Sequence, residues 1–450
     1  MQQQRRALVM LMVLVLHVIS TTTTQVCCCL LEEKRALLDF KASINETRYA
    51  HLLLPSWTNI NGSENGVDEE ASSSDCCNWE GVKCSNTTGR IVELQLRNLR
   101  HNIYKEAFYE NRDWYLNMST FLSLTHLQAL DLGYNNFQSG VEDCGQLASL
   151  ENLESLNLDY NYFNISIIPC ITAIPALKTL SLAGNYFLTG LFSVEDCGQL
   201  ASLENLESLN LDYNGFNISI IPCVTSIPAL KTLSLAGNNL EGVFPVEDCG
   251  QLASLENLES LNLDYNGFNI SIIPCVTSIP ALKTLSLAGN NLEGVFPVED
   301  CGQLASLENL ESLNLDDNYF NISIIPCITA IPALKTLSLA ENNLEGVFPV
   351  EEFNHLTQLK NLNLSYTGLQ GPLSFKELKL EKLEVLNLEG TQMKELLSIE
   401  VMTSLKALSL SGIGINDSSI LEEKSMSDFS LDKKKWNSQQ KVEQSSIQNT

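Results

Sequence analysis

From Leu124 to about Met402 the apolar residues follow one recurring spacing, LxxLxxLxLxxN. Copies that keep the asparagine start at Leu124, Leu150, Ile174, Leu203, Ile227, Leu255, Ile279, Leu307 and Ile331, and looser versions start at Leu356, Leu380 and Met402. The central leucine of each copy (Leu130, Leu156, Leu180, Leu209, Leu233, Leu261, Leu285, Leu313, Leu337, Leu362, Leu386, Leu408) recurs every 22 to 29 residues. Alternation within LxL predicts a short strand with both leucines inward and the residue between them in solvent. One such unit cannot cover its own apolar side, so neighbours must stack and share a core.

The asparagine at each strand exit (Asn135, Asn161, Asn185, Asn214, Asn238, Asn266, Asn290, Asn318, Asn342) is expected to turn inward and satisfy backbone groups of adjacent loops. An unpaired buried amide costs about 1 to 3 kcal/mol, so this ladder is structural. It decays after Asn342, where the same position holds Thr367, Thr391 and then Ile413. A longer period is superimposed: the 52-residue block Val194 to Pro245 recurs letter for letter at Val246 to Pro297, with edited copies from Val141 and from Val298 to Pro349. Each block holds two motifs. The shorter period is that of leucine-rich repeats, and together with the tandem blocks it predicts an α/β fold, a curved leucine-rich-repeat solenoid with a parallel inner sheet.

Four domains are expected: a signal peptide at 1–24, a cap at 25–90, about 12 repeats at 91–417 including the four blocks at 141–349, and a disordered polar tail at 418–450. The signal is read from Arg5 and Arg6 before an apolar run, Ala7 to Ile19, followed by small residues. That run is too short to span a bilayer, and no later segment is apolar enough, so no membrane span is expected in this chain. A formal net charge of -27 argues against nucleic acid as a partner.

Ten N-x-S/T sequons, at Asn45, Asn61, Asn86, Asn117, Asn164, Asn217, Asn269, Asn321, Asn363 and Asn416, are candidate glycosylation sites of an exported chain. Fourteen cysteines agree with export. Within the blocks they fall into Cys144 and Cys170, Cys197 and Cys223, Cys249 and Cys275, and Cys301 and Cys327, each separated by 26 residues, close to one repeat. Each pair is read as a bridge on the convex side, the rival being buried free thiols. The five histidines are scattered, so no metal site is expected, nor any cofactor.

The stretch LLEEKRALLDFKASI, then Ser56-Trp57, DCCNWEGVKC and TGRIVELQL resembles the N-terminal cap of plant extracellular leucine-rich-repeat proteins. That resemblance implies pairing of Cys29 with Cys76 and of Cys77 with Cys84. Three cysteines in a row (Cys27, Cys28, Cys29) stand where the family has one, which leaves the upstream partner open. A cap helix from Glu33 to Ser43 is expected to turn Leu37, Leu38 and Phe40 inward and cover the first strand's open edge. NNLEGVFP, as at Asn238 to Pro245, looks like the plant-specific repeat ending, and CGQL…IIPC resembles repeats of plant receptor-like proteins. The companion stretch GFNISIIP departs from that ending, which leaves a second short sheet there open.

The resemblance implies perception of an extracellular peptide, glycan or microbial protein, in defence or development, with signalling through a partner receptor kinase. The chain would then be secreted to the apoplast or cell wall, or sit at the plasma membrane if it is a receptor truncated before its membrane helix. An alternative is a secreted inhibitor of microbial cell-wall-degrading enzymes, similar to polygalacturonase inhibitors, or a decoy. Solvent-facing strand positions Glu207, Ser208, Asn210, Asp212 and Tyr213 alternate with Lys231, Thr232, Ser234 and Ala236. From these, Asp159, Tyr160, Asp212, Tyr213, Asp264 and Tyr265 are candidate contacts for a basic or sugar-bearing partner, with Lys231 and Lys283 in the alternate stripe. Catalysis is not expected: identical sites on a regular outer surface offer no closed pocket to perturb a pKa, and no nucleophile elbow, P-loop or zinc motif is present.

Overall fold

The computed structural model describes residues 29–44, 53–58, 75–99, 114–139, 144–190, 194–242, 246–294, 298–398 and 401–413. The expected signal peptide, the tail at 418–450, and Asn45, Asn61 and Asn416 lie outside these residues. The chain divides into two compact units, residues 1–157 with 173–176, and residues 158–172 with 177–450.

In the first unit the cap helix runs Leu31–Ser43, two residues longer than predicted at its start. Leu37 and Phe40 are buried, with Phe40 packed on Trp57, Phe121 and Phe137. Leu38 is only half-buried, and Ala36 and Glu33 take the inner positions instead. Glu33 was not anticipated: its carboxylate is fully buried, accepts from Arg90 Nε at 2.8 Å and from the Leu30 amide at 2.9 Å, and so ties the helix to the first sheet strands. The helix does not cover the sheet edge. A strand, Val82–Cys84, does so by pairing antiparallel with Ile91–Gln95. Cys29 is bridged to Cys76 and Cys77 to Cys84, closing the cap around this hairpin. Ala129–Asp131 and Ser155–Asn157 follow in parallel, with Leu94, Leu130 and Leu156 in one register column.

In the second unit, three-residue strands such as Thr179–Ser181, Ser208–Asn210 and Thr232–Ser234 continue in parallel to Ala407–Ser409. Their central leucines, from Leu180 through Leu209, Leu233, Leu261 and Leu285 to Leu408, pair one with the next without a slip. Both leucines of each LxL from Leu180 to Leu388 are buried, as at Leu209 and Leu211, and only in the last strand is the second one, Leu410, half-buried. Shifting any strand by one residue would turn its leucines out, so the pattern fixes the register.

Away from this sheet, in the blocks from Val194 onward VEDCGQL forms a helix, as in Val246–Ala253, and IPCV or IPCI a one-turn helix, as at Ile273–Val276. Proline opens the latter, where its missing N–H costs nothing. The structure bridges Cys197 to Cys223, Cys249 to Cys275 and Cys301 to Cys327. Cys170 is also disulfide-bonded, but the side chain of its expected partner, Cys144, lies outside the described residues. The question left open at GFNISIIP resolves into small parallel sheets: Gly215–Phe216 pairs with Thr189–Gly190, and Gly267–Phe268 pairs with Glu241–Gly242 of the preceding repeat.

Candidate functional site

Every strand of the second unit leaves the sheet through the same turn, and three ladders of side chains meet there. The first is the asparagine ladder. Asn238 Nδ2 donates to Leu211 and Leu235 carbonyls at 3.0 Å and to that of Ala236 at 3.3 Å, and its Oδ1 accepts from the Phe216 amide at 3.1 Å. One amide thus stitches two repeats, and Asn185, Asn290 and Asn342 repeat the pattern. Thr367 and Thr391 keep only a bond from the hydroxyl to their own turn, to Leu364 and Leu388 carbonyls.

The second ladder corrects a sequence expectation. Asp159, Asp212 and Asp264 do not face solvent: they are 9%, 9% and 5% exposed. Asp212 Oδ1 accepts from Ser234 Oγ at 2.6 Å and from the Ala236 amide at 2.8 Å, and Asp264 does the same with Ser286 and Ala288. Ser234 and Ala236 are therefore buried as well. Each aspartate reaches across to the next strand's exit, because Ser-x-Ala in the alternate half-repeat presents a hydroxyl and a free amide where the carboxylate arrives. Burial pushes the carboxyls of Asp212, Asp264 and Asp316 up to about 6, against the lowering effect of these hydrogen bonds. A regular surface was not expected to perturb a pKa; here the cause is burial within a structural contact.

The third ladder is exposed. Tyr160, Tyr213 and Tyr265 sit in the left-handed region, at φ 50°, 53° and 51°. Tyr213 and Tyr265 are 46% and 55% exposed, and their rings lie flat against the glycine of the next repeat. A Cβ at Gly237 would stand 2.4 Å from Tyr213 Cδ1, and Gly237 itself has φ +64°. The pair is thus mutually required. In the fourth block Asp317 replaces the tyrosine, and the glycine beneath it becomes Glu341. The tyrosine returns at Tyr366 over Gly390, with its hydroxyl on Glu389 at 3.1 Å. Beside it lies an open hollow of about 380 Å³ lined by Glu341, Asn342, Asn343 and Tyr366. Sequence reading missed both the glycine seat and the hollow; the signal was the joint change of Tyr and Gly in block four.

At the opposite, entry end of the strands the lysines are engaged. Lys231 pairs with Glu207 at 2.9 Å and Lys283 with Glu259 at 2.8 Å, each about half-exposed. Lys335 with Glu311 and Lys406 with Glu384 extend a row of opposite charges along the sheet. Such exposed pairs contribute about 0 to 1 kcal/mol, but they neutralise the stripe.

The sequons divide by burial. Asn86, Asn117 and Asn164 are exposed, and the carboxamide oxygens of Asn217, Asn269 and Asn321 cap a short helix through the amides of Ser219, Ser271 and Ser323. Asn363 is different. It sits in strand Asn361–Asn363, is 3% exposed, donates to Ser338 Oγ at 2.9 Å and accepts from the Ser365 amide. The fold leaves no room there for the glycan expected from its sequon.

Parallel three-residue strands with leucines in one column, an asparagine ladder at the strand exits and a disulfide-bonded helical cap define the architecture. This is a leucine-rich-repeat fold. Residues 30–85 match the leucine rich repeat N-terminal domain family, and residues 123–140 match the leucine rich repeat family. Receptor-like protein 13 of Arabidopsis thaliana is 31% identical over 302 residues, which is 61% of this chain and 22% of that protein. Cuscuta receptor 1 of Solanum lycopersicum is 28% identical over 453 residues, 76% of this chain and 38% of that protein. The chain therefore spans only about a fifth to two fifths of these receptor-like relatives. Among solved structures, the Arabidopsis receptor kinase HAESA in complex with the peptide hormone IDA and the co-receptor SERK1 aligns at 23% identity with a TM-score of 0.49, over 86% of this chain and 66% of that one. No helix among the described residues is long and apolar enough to cross a membrane.

Proposed function

We propose that this chain is an extracellular, ligand-binding leucine-rich-repeat module of receptor-like-protein type, which passes recognition to a partner receptor kinase in defence or development. The likeness to plant receptor-like proteins supports it, together with a disulfide-closed cap suited to an oxidising compartment. The observation that carries a binding role is the exit edge of the second unit, where half-exposed tyrosines stand clear of ladders already used up by structure. Catalysis has no support there. The carboxyls raised to about 6 are buried, and the Ser hydroxyls and backbone N–H groups beside them are used in holding these carboxyls across the strand exits.

Expression of the tagged full chain in leaf tissue, followed by precipitation from membranes and wall fluid, tests the reading. Recovery of a receptor kinase with the chain is the expected result. Recovery only of a secreted polygalacturonase, with inhibition of that enzyme by the purified chain, would replace it with the inhibitor alternative.

A further inference from the structure

We propose that the strand-exit edge of the second unit binds an extended β-1,4-linked amino-sugar oligomer, neutral or cationic, running along the repeats. The proposal deepens the binding role above by naming its ligand class.

Three observations carry it. The first is the alternation of the edge. Tyr213 and Tyr265 occupy one half-repeat, and Gly237 and Gly289 occupy the equivalent position in the other. One ring face is spent on glycine, so the other is presented to solvent at about half exposure. Two residues further along the turn the order inverts, because exposed Asn239 and Asn291 stand where the tyrosine half-repeats have Gly215 and Gly267. The edge is thus a row of aromatic platforms separated by small, amide-bearing gaps.

The second is the period. Neighbouring strands are about 4.8 Å apart, so equivalent side chains two strands apart stand about 10 Å apart, about one disaccharide of an extended β-1,4-linked chain. In such a chain successive rings are flipped, so only every second ring offers the same face for stacking. That ring meets the outer face of a tyrosine, which itself covers the glycine, and the inverted ring between falls beside exposed Asn239 or Asn291, whose amide can bond its hydroxyl or acetamido group.

The third is charge. The edge carries Asp317 and Glu341 where the tyrosine-glycine pair is replaced, Glu341 lines the hollow beside Tyr366, and the whole chain has a net charge of -27. A polyuronate would be repelled, while a neutral or partly deacetylated amino sugar would be accepted and its ammonium groups favoured.

The test is titration calorimetry on the secreted full chain with chitohexaose, a partly deacetylated hexamer, chitobiose and a hexameric oligogalacturonide. Both amino-sugar hexamers are expected to bind, chitobiose on the order of 10-fold more weakly, and the oligogalacturonide not at all. Tyr213→Ala with Tyr265→Ala should weaken hexamer binding on the order of 10-fold or more, while Tyr→Trp at both positions should retain it. Circular dichroism equal to the parent's establishes that the Ala variant is folded. No binding of either hexamer, equal binding of the oligogalacturonide, or unchanged affinity in the folded Ala variant would overturn the proposal. The receptor-kinase precipitation is independent of these outcomes, so a failure here leaves that broader reading standing.

Discussion

The most consequential residues at the strand exits are the ones that appear most chemical in the sequence and turn out to be structural. Asp212, Asp264 and Asp316 are held near 6 by burial, against about 3.9 for an unfolded aspartate. A carboxyl raised in the folded state holds its proton where the unfolded chain has released it, so stability is greatest below about pH 4 and is lost as pH rises towards about 6. Each costs roughly 1 to 3 kcal/mol at neutral pH, since one pH unit corresponds to about 1.4 kcal/mol. Asparagine keeps the acceptor for the Ser hydroxyl and the Ala amide without the charge. Asp212→Asn, Asp264→Asn and Asp316→Asn together should raise the melting temperature at pH 7.5 and flatten its rise on acidification to pH 5. Chemical or thermal melts across that range check it, and a destabilised variant at pH 7.5 would contradict the burial argument. Asn363 gives a second prediction at this scale. Glycopeptide mass spectrometry should find it unmodified, with glycan carried instead by Asn86, Asn117 and the block positions Asn164, Asn217, Asn269 and Asn321, all outside the sheet strands.

At the scale of elements, the leucine column was legible because burial and register are both written in a spacing of two. The asparagine ladder was legible because a polar residue repeated at an apolar strand's exit has only one economical use, to satisfy backbone. The inward aspartates were not legible. Strand alternation places them outside, and only the neighbouring Ser-x-Ala, 22 to 24 residues away, turns them in. The same limit applies to the cap, where helix periodicity marked Leu38 but could not foresee that Arg90, 57 residues on, would draw Glu33 inward. The bridges on the helix side join residues 26 apart, so each should contribute about 3 kcal/mol in the loop-entropy description. Cys249→Ala with Cys275→Ala should lower the free energy of unfolding by about that amount, and denatured, unreduced protein should yield few free thiols. Eight or more free thiols would contradict the bridges.

For the whole molecule, near-identical blocks fix the architecture more firmly than the activity. Three of the eight candidate contact residues, Asp159, Asp212 and Asp264, are interior, Lys231 and Lys283 are paired with glutamates, and Tyr160 is less exposed than Tyr213 and Tyr265. Tyr213 and Tyr265 remain the proposed contacts, each held in place by the glycine beneath its ring. Duplication that copies a structural unit also copies a platform, and a ligand that is itself periodic is the natural match for such an edge. The direct test of that placement is hydrogen exchange on the full chain with and without saturating partly deacetylated chitohexaose. Slowed exchange confined to the turns at Tyr213, Gly237, Tyr265, Gly289 and Glu341 to Tyr366 is the predicted result. Protection centred on the Glu207–Lys231 side of the sheet, or none anywhere, would contradict it.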